Sequence, residues 1–168
     1  MIITLNDHTI EKLIQIESGV HYSELPPPER EPFVLIDRRS PVIISAPHGA
    51  ITYRNNGSEI WHEEDEYTAG MALLLAEMCK VSVIATIWRT ADSDPNEHPI
   101  DRSGYKKKLQ PLLEKGDVHW LIDLHGAGER SRYLDESQWI DLGLGRNNDY
   151  LPVEAAVYFR ERIENYFR

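Results

Sequence analysis

Short apolar runs that end in polar loops alternate along this chain with stretches whose apolar residues recur every three or four positions. Val42, Ile43, Ile44, Ser45 and Ala46 form one run, and Val118, Trp120, Leu121, Ile122 and Leu124 another; both read as buried strands. Residues 33–36 and 81–88 read as strands on the same grounds. Asn6 or Asp7 can cap a helix that carries Ile10, Leu13 and Ile14 on one face and ends near Gly19. Residues 68–78 place Met71, Leu74, Leu75 and Met78 on one side of a second helix. Residues 101–114 give a third, with Tyr105, Leu109, Leu112 and Leu113 as its buried stripe and Pro111 expected to kink or divide it. A last helix is expected over 154–166, started by Pro152. Pro26, Pro27 and Pro28 form a stiff extended connector. Strands alternating with helices of this length predict one α/β domain over 1–168, with a mostly parallel or mixed central sheet and helices on both faces.

Composition narrows the picture only a little. A chain of 168 residues is long enough to bury a core without disulfides or a structural metal. The lone Cys79 cannot form an internal disulfide, which points to a reducing compartment. The first residues lack a basic segment followed by a continuous apolar one, and no stretch reaches the ~18 apolar residues of a membrane span. A cytoplasmic protein without a membrane partner is the expectation. A net charge of -10 argues against nucleic acid as a partner, because a phosphate backbone would be repelled. Self-association into a homo-oligomer is left open.

The candidate chemistry sits where two of the strands end. His48 in SAPHGA and His125 in LIDLHGAG each follow an apolar run and directly precede a glycine. In an open α/β sheet the carboxyl edge of the strands is where ligands bind. Neutral imidazole is the commonest side-chain metal ligand, and a following glycine lets the chain turn sharply with room beside the main chain. A hydrolytic zinc usually takes three protein ligands and leaves a fourth position to water, so two histidines call for a carboxylate. Residues 62–66, HEEDE, lie between the first histidine loop and a predicted helix; Asp65 is the first choice and Glu64 the second. The plainer reading is an acidic cluster placed favourably before a helix. Asp123 shares a strand face with His125 and is expected either to support that histidine from behind or to cap a neighbouring helix. His62, His98 and His119 read as solvated or merely packed.

The order of segments SAPHGA, HEEDEYTAG, RTADSDPN with a following YKKKL, LIDLHGAG and DLGLG resembles the N-formylglutamate amidohydrolase family, over about residues 42–145. That resemblance implies a zinc-carboxypeptidase-like α/β fold holding one zinc ion. It makes His48, an acid of HEEDE and His125 the ligands, and the hydrolysis of a small N-formyl or N-acyl amino acid the activity. Arg89, which ends a predicted strand, resembles the family's arginine and would stabilise an oxyanion or hold a substrate carboxylate; its plainer reading is a surface residue with a stacked stem. Asn96 resembles a substrate-binding asparagine of an Asp-x-Asn-Arg segment.

The chain departs from that pattern in two places. Glu97 stands where the pattern has arginine, which removes a bidentate carboxylate clamp and leaves Arg102 or Arg130 to replace it. Relatives also continue past the DLGLG segment and use a late glutamate as general base, so the expectation is a shorter form that recruits Glu64 or Glu129, or a fragment. A non-catalytic metal- or ligand-binding module that kept the pocket and lost its base is the alternative. Other motifs fail: residues 92–103 lack the turn glycine and final glutamate of a calcium loop, and residues 142–145 lack phosphate-loop spacing.

Overall fold

The computed structural model describes residues 6–55, 59–91, 100–126, 157–158 and 161–162. The chain divides into two compact units, Met1–Gly126 and Ala127–Arg168. In the second, residues 157–158 and 161–162 are helical, within the span where the sequence predicts a closing helix, and the rest of that helix lies outside the described residues. The first unit runs α1 (Asp7–Glu17), β1 (Phe33–Ile36), β2 (Val42–Ala46), β3 (Thr52–Asn55), β4 (Glu59–His62), α2 (Thr68–Cys79), β5 (Ser82–Thr86), α3 (Gly104–Glu114) and β6 (Trp120–Asp123). The fold is α/β, as the pattern predicts.

Four strands form a mixed sheet in the order β1-β5-β2-β6, with β5, β2 and β6 parallel and β1 antiparallel to β5. Alternation along the strands divides the core between two faces. Ile44, Ala46, Val83 and Ala85 pack with Ala69, Ala72 and Ala76 of α2, while Ile43, Ile84 and Phe33 pack with Tyr105, Leu109 and Leu112 of α3. Burying an isoleucine such as Ile43 or Ile84 contributes about 1.5–3 kcal/mol, so this layer holds the central strands firmly. From β2 the chain crosses through α2 to β5 on one side, then returns through α3 to β6 on the other. The connections therefore diverge at β2, and the loops after β2 and β6 stand at a topological switch point.

Several sequence expectations are corrected. The run from Val118 to Leu124 reads as a buried strand, yet Trp120, Leu121 and Ile122 are 41%, 44% and 42% exposed. Among the described residues β6 pairs with β2 alone and ends the sheet. In α1, capped by Asn6 as expected, Ile10 and Ile14 are exposed, and Thr9 and Glu17 are buried instead. The period is right and the phase is wrong. In α2 the alanines face the core and Met71 is exposed, because close packing on the sheet favours small side chains. Pro111 does not divide α3: it lies on the exposed side, where one missing N–H is tolerated. No described helix is long and apolar enough to cross a membrane.

One side chain ties α3 to the end of β2. The Tyr105 hydroxyl, fully buried, donates to Ile84 O at 2.9 Å, accepts from Ala46 N at 3.1 Å and shares a 2.7 Å bond with Ser45 Oγ. Removing it strands polar groups out of reach of water, at about 1–3 kcal/mol for each one left unpaired. Tyr105→Phe is expected to lower unfolding stability by about 2–3 kcal/mol, read from urea denaturation midpoints. An unchanged midpoint would mean that this anchor contributes nothing.

Candidate functional site

The strand register brings the two predicted histidines together. Ser45 pairs with Asp123, and Leu124 N donates to Ser45 O at 2.8 Å, so His48 and His125 leave neighbouring parallel strands at corresponding points. Their ring centres are 5.3 Å apart. His48 is 1% exposed, and its Nδ1 lies 3.2 Å from Thr52 Oγ1. Asp65 joins them from the segment that leads into α2. Its N–H donates to His48 O at 2.8 Å, while Thr68 N and Thr68 Oγ1 donate to Asp65 O at 3.2 and 2.7 Å. The carboxylate is thereby held by its own backbone at the start of a helix.

The glycine after each histidine serves a close approach. A Cβ on Gly126 would stand 3.0–3.1 Å from the Asp65 side chain, and the Gly126 N–H bonds to that carboxylate. A Cβ on Gly49 would overlap Ala69 and the Thr86 carbonyl. The first glycine thus makes room for an acid, and the second for packing against α2 and β5.

His125 stands between two carboxylates. Asp65 Oδ2 lies 3.4 Å from its Nδ1 and Asp123 Oδ2 lies 3.4 Å from its Nε2. Asp123, then Asp65, raise the His125 pKa to about 9 against the opposing effect of burial. Burial acts to raise the Asp65 pKa, but His125, the Gly126 N–H and His48 outweigh it and hold the carboxyl below its ordinary range. The Asp65 Oδ2 atom is buried and has no hydrogen-bond partner, its contact with His125 being long.

The donor types are those that zinc takes, and two pairwise separations match those between zinc ligands. Ligand bonds of about 2.0–2.1 Å in a tetrahedral site put a nitrogen and an oxygen donor about 3.3 Å apart and two imidazole centres about 5 Å apart. The observed separations are 3.4 Å for His125 Nδ1 to Asp65 Oδ2 and 5.3 Å for the two rings. Among the described residues no three His, Cys, Asp or Glu side chains are grouped closely enough to hold a metal ion as they stand. The donors are adjacent without being convergent. Asp123, on the far nitrogen of His125, occupies the supporting position that fixes a ligand's ring and tautomer.

The other predicted residues fall in different settings. The Arg89 guanidinium lies 4.0 Å over the Trp61 ring, and its Nε is buried with no hydrogen-bond partner. Glu64 is half-buried beside Asp65, and Arg102 is exposed in the turn before α3. Neither joins the hydrogen bonds and ion pairs that link His48, Asp65, Asp123 and His125. Asn96, Arg130 and Glu129 lie outside the described residues. A cavity of about 340 Å³ lined by Asp37, Arg39, Ser82 and Lys115 opens where the strands begin, the edge opposite the histidine loops.

Sequence reasoning missed the hairpin β3–β4, which supplies Thr52, Trp61 and His62. His62, which reads from the sequence as solvated or merely packed, stacks its ring on that of His48 with centres 4.3 Å apart. The signal was available: Thr52–Asn55 and Glu59–His62 flank an Asn56-Gly57 pair, a strong hairpin marker. Compared with models of protein families, with curated proteins and with solved structures, the chain gives no match.

Proposed function

We propose that the chain is a zinc-dependent hydrolase of a small amide, an N-formyl or N-acyl amino acid. The observation that carries this reading is the buried Asp65 Oδ2, which accepts no hydrogen bond and lies 3.4 Å from His125 Nδ1, beside two histidines from neighbouring strand ends. His48, Asp65 and His125 would hold the ion. When bound, zinc supplies a Lewis acid that makes water nucleophilic near neutral pH and polarises a carbonyl. Asp123 accepts a hydrogen bond from His125 Nε2 and so keeps Nδ1 turned to Asp65. The Thr52 hydroxyl, 3.2 Å from His48 Nδ1, would orient that ring in the same way by accepting from Nδ1 when the ion is bound. Arg89, held over Trp61, offers a cation to an oxyanion or a substrate carboxylate. Segment order resembling N-formylglutamate amidohydrolases supports the substrate class.

The test is turnover on a panel of N-formyl and N-acetyl amino acids, with zinc content measured on the same samples. Release of the acyl carboxylate that depends on zinc is expected. Zinc bound without turnover on any member would point to a non-catalytic metal-binding module instead. Uptake itself carries a pH signature. With a pKa of about 9 in the metal-free molecule, His125 is protonated at neutral pH, and a ligand nitrogen must give that proton up. Zinc binding at pH 7 is expected to release about one proton, measured by calorimetry in buffers of different ionisation enthalpy. Binding heats independent of the buffer would contradict this.

A further inference from the structure

The cavity of about 340 Å³ on the edge opposite the histidine loops lies where β2 and β5 begin and α3 ends. Its volume falls within the ~300–1,000 Å³ of small-molecule pockets. The floor is apolar, with Ile43 and Leu112 buried and Val118 half-buried. Charges of both signs stand around it, some engaged and some free. Asp37 accepts from Lys115 Nζ at 3.0 Å and from Arg39 N at 2.8 Å. Neither the Arg39 guanidinium nor the Asp117 carboxylate has a hydrogen bond or ion pair with any described residue. Arg39 also sits at φ 53°, a conformation costly for a residue with a Cβ, and its N–H bond to Asp37 supports that turn. Two hydroxyls complete the lining. Ser40 Oγ accepts from Val42 N at 3.1 Å and Ser82 Oγ from Arg38 N at 3.0 Å, so both O–H hydrogens remain to be donated. Ser82 is 1% exposed, and its hydroxyl hydrogen has no acceptor among the described residues.

We propose that this cavity binds a free amino acid with an aliphatic side chain, held as its zwitterion. Arg39 and the two serine hydroxyls would take the carboxylate. Asp117 follows the C-terminal end of α3, where unpaired carbonyls carry partial negative charge, and would take the ammonium group. The apolar floor accommodates the side chain. A hydrolase of N-acyl amino acids releases a free amino acid, so the cavity would hold that product away from the histidines; binding itself does not depend on the zinc reading.

Calorimetric titration of the full chain with L-leucine tests this, alongside leucinamide, which lacks the carboxylate, and isocaproate, which lacks the ammonium group. Leucine should bind, and each analogue should bind about tenfold more weakly. Asp117→Asn and Arg39→Asn should each weaken leucine by a similar factor, and His125→Ala should leave it unchanged. Both cavity side chains are exposed, and asparagine tolerates the left-handed conformation, so neither substitution disturbs the fold. Absence of leucine binding at millimolar concentration, or an affinity unchanged in either cavity variant, would overturn the proposal. Binding lost in His125→Ala would place the amino acid at the histidine edge and overturn it equally.

Discussion

His125→Ala is expected to lose zinc while remaining folded, and the effect should be the largest of any single substitution on metal content. The reasoning combines exposure with chemistry. The His125 side chain is 38% exposed and stands at the rim of the sheet, so its removal leaves no sealed cavity. What it removes is the only cation between Asp65 and Asp123 in the described network, together with the Nδ1 donor 3.4 Å from Asp65 Oδ2. Affinity should fall by about a hundredfold or more, beyond the ~10–100-fold that outer-shell changes cost. His48→Ala is a poorer test, because that ring is buried and its loss also opens a void. His119→Ala serves as the control, since His119 is exposed and holds Pro41 O only through its backbone N–H. Zinc content measured by elemental mass spectrometry should vanish in the first variant and persist in the control. Equal content in both would remove His125 from the site.

Gly49→Ala is expected to be strongly destabilising. The new Cβ would lie 2.4 Å from Ala69 Cβ and 2.5 Å from the Thr86 carbonyl oxygen. Neither neighbour is the end of a flexible side chain. One belongs to the first turn of α2 and the other to the backbone at the end of β5, so the methyl is accommodated only by moving the His48 loop or parting helix from sheet. Overpacking of a rigid core costs about 1–3 kcal/mol and sometimes more, and this position belongs at the upper end. The checks are the urea midpoint and zinc uptake, both of which should fall together. A variant with the stability and zinc affinity of the unmodified chain would show that the loop is not wedged in this way.

Legibility in the sequence followed the range of the interaction involved. The strand-end histidines were readable because an apolar run, a histidine and a glycine are consecutive residues, and the parallel register of β2 and β6 then places them side by side. Asp65 was readable because it precedes a helix whose first turn is local. The exposure of Trp120, Leu121 and Ile122 was not, since a central strand and one that ends the sheet share the same apolar run, and strand order is a long-range property. The phase of α1 failed for a related reason. Ile10 and Ile14 carry the larger apolar groups, but the face that packs holds Thr9 and Glu17. His62 was passed over because the hairpin was missed altogether and the acids of residues 63–66 drew the reading of HEEDE toward a helix N-terminus. Arg89 was found as a strand-end cation, but its partner Trp61 lies on the missed hairpin.

The central claim is that this chain holds zinc through His48, Asp65 and His125, and the metal content of the purified protein tests it most directly. Measured after dialysis against zinc and then against metal-free buffer, the expected value is near one zinc per chain. A chain that emerges without metal and takes up none on titration would contradict the claim and leave the three side chains as neighbours at a strand-end turn.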